Sequence, residues 1–150
     1  MSWPEIDWFQ IAANLLHLAF AYGLALPIGL DRERALRGVG LRTFPLVAVG
    51  SCGFMLLGLQ VLGPDETQAQ ARILYGLMTG IGFIGGGAIL KDGGNVSGTS
   101  TAASIWITGA IGAAVAWNRY EIALVLSGVT FATLRWVRVM KGVVRGNGEG

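Results

Sequence analysis

Long uncharged runs alternate with short charged segments along this chain, and the runs exceed what the core of a soluble domain requires. The first covers 8–30, and at a rise of about 1.5 Å per residue it crosses a bilayer as a helix. The second and third, 44–62 and 73–90, also contain no charge. A fourth, 101–117, is shorter and borrows flanking polar sequence to complete its length. The fifth is centred on 122–134, with Glu121 at one interface and Arg135 and Arg138 free to snorkel at the other. The pattern predicts an all-α polytopic membrane protein with about five transmembrane helices. Residues 1–134 form its helical domain, with spans near 8–30, 44–62, 73–90, 101–117 and 120–138, and 139–150 form a short basic tail.

Composition supports lipid as the solvent. Hydrophobic residues make up 53% of the chain and charged residues 13%, against roughly 25% charged in an average soluble domain. A net charge of +2 does not point to nucleic acid, because the basic residues sit between and after the apolar runs and form no stripe on a folded surface. Nine of the 11 basic residues lie in alternate connections and the tail: Arg32, Arg34, Arg37 and Arg42, then Lys91, then Arg135, Arg138, Lys141 and Arg145. The positive-inside rule therefore places the N-terminus outside and the C-terminus in the cytoplasm.

Glycine modifies the third span. Gly76 with Gly80, and Gly82 with Gly86, have the spacing of a close-packing face, which predicts a central helix against a neighbour in the same chain or a second copy. Gly85, Gly86 and Gly87 lower helicity enough to allow a broken or re-entrant segment with carbonyls exposed to a cation path. Tight packing is the blander reading of each glycine.

At the end of the first span, Asp31-Arg32-Glu33-Arg34 follows Leu30 directly. On a continuing helix Asp31 would pair with Arg34 and Glu33 with Arg37. The two acids serve either structural ion pairs or cation handling. In the second connection on this side, Asp92 and Asn95 offer hard oxygen ligands of the kind magnesium accepts, within a glycine-rich irregular loop. Asn95, Ser97, Thr99, Ser100 and Thr101 are candidate caps for the fourth helix. His17 is the sole histidine and Cys52 the sole cysteine, so neither a metal cluster nor a hydrolase triad forms around them. His17 reads as a packed residue facing the bundle interior. With no phosphate-gripping loop and no convergent nucleophile and base, the chain is not expected to be an enzyme and calls for no cofactor.

Four blocks, in order, resemble the MgtC/SapB membrane protein family: Gly29-Leu30-Asp31-Arg32-Glu33-Arg34; Gly40-Leu41-Arg42-Thr43; the run from Gly80 through Gly85-Gly86-Gly87 to Leu90; and Thr101-Ala102-Ala103-Ser104-Ile105-Trp106. The resemblance covers about residues 15–134. It implies a multi-spanning inner-membrane protein linked to magnesium homeostasis. Family members are associated with magnesium transport, with adaptation to low magnesium and virulence, and with control of other membrane machinery such as ATP synthase.

Asp31 and Glu33 resemble the family's acidic positions, and Arg42 with Thr43 its Gly-Leu-Arg-Thr element. Phe44 replaces a polar or histidine residue, which removes a proton-responsive role at that position. Ser97 and Ser100 replace an arginine and a leucine common before the Thr-Ala-Ala block. The segment from Arg135 to Gly150 is too short for the soluble regulatory domain some relatives carry, so regulation by that route is expected to be absent unless another protein supplies it.

The resulting expectation is a regulator or accessory factor of other membrane machinery. The alternative is a direct transporter or channel for magnesium or another cation, formed by an oligomer. Partners are the lipid bilayer, another membrane protein such as ATP synthase, or a second copy of the chain. Magnesium would be ligand or substrate. Candidate ion-handling residues are Asp31, Glu33, Asp92 and Asn95. Candidate structural or regulatory residues are Arg32, Arg34, Arg42, Thr43, the third-span glycines and Thr101.

Overall fold

The computed structural model describes residues 6–35, 40–63, 65–92 and 95–146, and the side chains there apart from Asp92 and 138–146. Arg37, the side chains of Arg138, Lys141 and Arg145, and the end of the basic tail lie outside the described residues. Five helices account for most of the chain: α1 Trp8–Ala35, α2 Thr43–Leu62, α3 Thr67–Gly87, α4 Thr99–Ala116 and α5 Tyr120–Gly146. Four of them, α1, α2, α4 and α5, are long and apolar enough to cross a membrane. Two short strands, β1 Leu90–Asp92 and β2 Asn95–Ser97, pair antiparallel between α3 and α4, with Lys91 opposite Val96. The expected irregular loop is therefore a hairpin, because extended backbone pairs its own polar groups.

Successive helices run in alternate directions. Asn14 of α1 meets Gln60 near the end of α2, while Arg32 of α1 meets Ser100 at the start of α4. Many large apolar side chains point outward, among them Phe9, Leu16, Phe54, Val61, Phe83 and Trp136. In water such a surface would drive association, and in lipid it is the natural exterior.

The central helix is α4, where the glycine spacing predicted the third span. It packs against all four other helices. Its small residues explain this: an added Cβ at Gly112 would reach the Ala48 carbonyl of α2 and stand 2.9 Å from Ser51 Cβ, and one at Gly109 would strike the Ile81 side chain of α3. Close approach restores dispersion contacts that lipid does not otherwise drive. Two buried hydroxyls in the body of α4 are satisfied inside the helix, Ser104 donating to the Ser100 and Thr101 carbonyls and Thr108 to that of Ser104.

Helix α3 is unbroken from Thr67 to Gly87, so the broken-helix reading does not hold. The carbonyls of Gly85 and Gly86 accept hydrogen bonds from the Ala88 and Ile89 amides and are not bared to a path. Among the described residues neither predicted packing pair meets a neighbour, and of the glycine triplet only Gly85 does, against the Ala102 backbone of α4. A Cβ at Gly76, Gly80, Gly82, Gly86 or Gly87 would meet nothing within 4 Å among the described residues. Glycine spacing makes a close approach available without supplying the helix that approaches.

Helix α1 contains Pro27, which cannot donate to the Gly23 carbonyl. One residue beyond that carbonyl, Ser127 of α5 donates to the Leu24 carbonyl at 2.7 Å, tying the two helices together. The turn between α4 and α5 uses Asn118 with φ of 57°, a left-handed conformation that asparagine tolerates better than most residues.

Gly112→Ala is expected to cost about 1–3 kcal/mol, since the opposing atoms are backbone and a short Cβ and cannot swing away. Gly80→Ala has open space and should stay within about 0.5 kcal/mol. Thermal unfolding of the two variants in detergent compares them, and equal stability would sink this account of α4.

Candidate functional site

The charged end of α1 is assembled by backbone contact. Gly40 returns the chain against the last turns of α1, where a side chain would collide with the Gly29 carbonyl and the Glu33 backbone. Glu33 then reaches across the return and accepts the Leu41 amide at 3.1 Å. One predicted acid is thus a local anchor for the α1–α2 connection.

Asp31 is 3% exposed and Arg32 6%. Arg32 Nη2 donates to Asp31 Oδ2 at 2.6 Å, a charge-assisted bond. The expected Asp31–Arg34 pair does not form, and Arg34 is exposed. Arginine's long stem lets it fold back on its immediate neighbour, a geometry that helical i,i+3 spacing does not anticipate. Adjacent cationic side chains at a helix C-terminus also complement its dipole.

Arg32 also extends toward α4, placing Nη1 3.4 Å from Ser100 Oγ. Helix α4 starts from Gly98, whose φ is +83° and where a Cβ would strike the Ala88 carbonyl. The predicted caps from Asn95 to Thr101 are therefore displaced: the cap position itself is glycine, and it makes no side-chain hydrogen bond. Thr101 is 1% exposed, and its Oγ1 and the Nε of Arg32 are buried without a hydrogen-bond partner.

The structure thus brings Asp31, Arg32, Ser100 and Thr101 together. Asn95 is exposed on the hairpin opposite Asp92, whose side chain lies outside the described residues. Arg42 is exposed at the α2 cap, and Thr43 lines a different feature, an apolar groove of about 820 Å³ between α2 and α3. Gly50, Ser51, Gly76 and Gly80 also line that groove. Among the described residues no three His, Cys, Asp or Glu side chains gather to hold a metal ion.

A second polar cluster lies at the opposite end. His17 Nδ1 is 2.8 Å from the Ala13 carbonyl and must donate to it, because a carbonyl only accepts. Nε2 faces Asn118 Oδ1 at 2.9 Å and the Tyr120 hydroxyl at 3.1 Å. A protonated Nε2 donates to Asn118 Oδ1, whereas a neutral one accepts from Tyr120 or from an asparagine amide turned about. His17 is half-buried and links α1 to the α4–α5 turn and the start of α5. Its partners lie about 100 residues away in sequence, and helical periodicity carries no signal for them. Ser100 was missed as a partner of Arg32 for the same reason.

Comparison with known proteins matches residues 16–143 to the MgtC family. Protein SrpB of Synechococcus elongatus is 39% identical over 142 residues, covering 87% of this chain and 76% of its own. "Putative magnesium transporter YhiD" of Escherichia coli is 37% identical over 134 residues, and Protein MgtC of Brucella abortus 39% over 105. The matches cover 83% and 70% of this chain, but only 59% of YhiD and 43% of the Brucella protein. No solved structure matches the chain.

Arg32→Met leaves a buried carboxylate without its nearest cation and is expected to destabilise by about 3–5 kcal/mol, with Asp31→Leu/Arg32→Met recovering most of the loss. Unfolding midpoints of the single and double variants test the coupling. Additive losses would show that the two side chains act independently.

Proposed function

Because the chain belongs to the MgtC family, we propose that it is an inner-membrane magnesium-homeostasis protein acting as a regulator or accessory factor of other membrane machinery. The observation that carries this reading is the buried Asp31–Arg32 pair. Asp31, the leading candidate for handling a cation, is held 2.6 Å from a guanidinium, where a second positive charge is disfavoured. Of the other candidate path, the carbonyls of Gly85 to Gly87, those of Gly85 and Gly86 are engaged in hydrogen bonds. Both features favour a static element that presents a surface over one that exchanges ions.

In the proposed orientation the Arg32 end lies in the cytoplasm and α1 begins outside, which the distribution of basic residues supports. Helix α3 completes a fifth span: it runs beside the others from Ile73 against Gly58 of α2 to Gly85 against Ala102 of α4. The open glycines of α3 leave room for a helix of a partner or of a second copy. Magnesium enters as the ion whose supply the partner serves.

The name of YhiD favours a second reading, direct magnesium transport by an oligomer. Sealed proteoliposomes containing the purified chain, given a magnesium gradient and compared with empty vesicles, separate the two. The regulator reading expects no flux above the control from inserted, folded protein. Selective flux abolished by Asp31→Asn would overturn it in favour of transport.

A further inference from the structure

We propose that the N-terminus of α4, backed by Arg32, binds a phosphate group. The proposal concerns a different ligand from magnesium and holds whether the chain regulates a partner or moves an ion.

Helix α4 has 18 residues, and its first turn brings the amides of Thr99, Ser100 and Thr101 ahead of the first intrahelical bond, from the Ala102 amide to the Gly98 carbonyl at 2.8 Å. The usual way to satisfy such amides is a Ser, Thr, Asp or Asn side chain at the cap. That solution is barred here, because any Cβ at Gly98 would run into the Ala88 carbonyl and the φ of +83° itself disfavours a side chain. Close packing of the Ala88 end of α3 against the start of α4 therefore leaves the turn as an uncapped concentration of donors with the positive end of the helix dipole behind it.

Two further donor side chains lie at this turn. Arg32 is more than nine-tenths buried, its Nη1 stands 3.4 Å from Ser100 Oγ, and its Nε has no acceptor. Thr101 is buried on the same turn with its hydroxyl unpartnered. Leaving such groups unpaired is costly, and every one of them except the hydroxyls can only donate. A ligand rich in acceptors and carrying negative charge satisfies them together. Asp31 supports this arrangement by holding Nη2, which orients the guanidinium while leaving Nη1 and Nε available.

Access and charge agree with an anion arriving from outside the bundle. Thr99 and Ser100 are exposed, so an oxyanion can reach the turn from the aqueous side. The Arg32–Ser100 contact is at the long limit for a hydrogen bond, and shorter charge-assisted bonds to an intervening oxygen would replace it. Exposed Arg34, Arg42 and Lys91 lie in the same end segments and raise the local anion concentration. A tetrahedral phosphate group fits the donor set, whether it belongs to an anionic phospholipid headgroup at the membrane edge or to soluble phosphate.

Thermal unfolding of the purified full chain in neutral detergent tests the site in two arms: inorganic phosphate against chloride at equal ionic strength, and phosphatidylglycerol added to the micelles against phosphatidylcholine. At saturation one arm should raise the midpoint by about 5 °C, and which arm responds identifies the source. Thr101→Val is the discriminating variant, because its hydroxyl has no internal bond to lose. Without ligand it should unfold at or above the wild-type temperature, and its apparent affinity should fall about tenfold, as expected for a lost hydrogen bond to a charged group. No response in either arm, or an undiminished response in Thr101→Val, would overturn the proposal.

Discussion

At Gly112 the backbone of α4 lies so close to the Ala48 carbonyl of α2 that no side chain fits between them, and at Gly109 the same helix accepts the Ile81 side chain of α3 into the space a Cβ would fill. Helix association in lipid gains little from excluding solvent, because acyl chains are as apolar as leucine. Contact area at short range must supply the energy, and a thin helix offers it in every direction. This is why α4 can sit among four others, with a continuous buried run from Ile111 to Ala116. The hydroxyls of Ser104 and Thr108 do not undermine that burial, since they donate back to carbonyls of their own helix.

The position of α4 determines what gathers at the charged end. Entering the bundle core directly from the hairpin, it must start at a glycine pressed against Ala88, and it must start beside the last turns of α1. Gly40 packs the α1–α2 return against Gly29 from the other side. Arg32 is thereby enclosed between α1 and α4 and takes Asp31 as its counter-ion. The charged constellation is a consequence of two close backbone approaches, Gly29 against Gly40 and Gly98 against Ala88, made by three glycines with no side chain to place.

Much of this architecture was legible in the order of apolar runs and charges. The helical class, the apolar lengths of α1, α2, α4 and α5, and the placement of Asp31 and Arg32 at the end of α1 follow from where charge interrupts hydrophobicity. The hierarchy among helices was not legible. Gly76 with Gly80 and Gly82 with Gly86 have regular packing spacing yet face open space, while Gly58, Gly109 and Gly112 take the contacts. Spacing reports which faces are smooth, and only the tertiary arrangement decides which smooth face is used. Contacts between distant segments, Arg32 with Ser100 and His17 with Asn118 and Tyr120, likewise leave no periodic trace.

The two polar clusters differ in a way that bears on their roles. At the His17 end the partners are neutral hydrogen-bonding groups, half-buried or exposed, so water can take over if one is lost. At the Arg32 end a full charge of each sign is withdrawn from water, and desolvating both costs several kcal/mol that their attraction only about offsets. Well-packed apolar side chains would stabilise the α1–α4 contact at least as well. What apolar residues cannot do is fix a guanidinium in one orientation at the start of a helix that has no cap. The pair is therefore better explained by the group it positions than by the stability it adds.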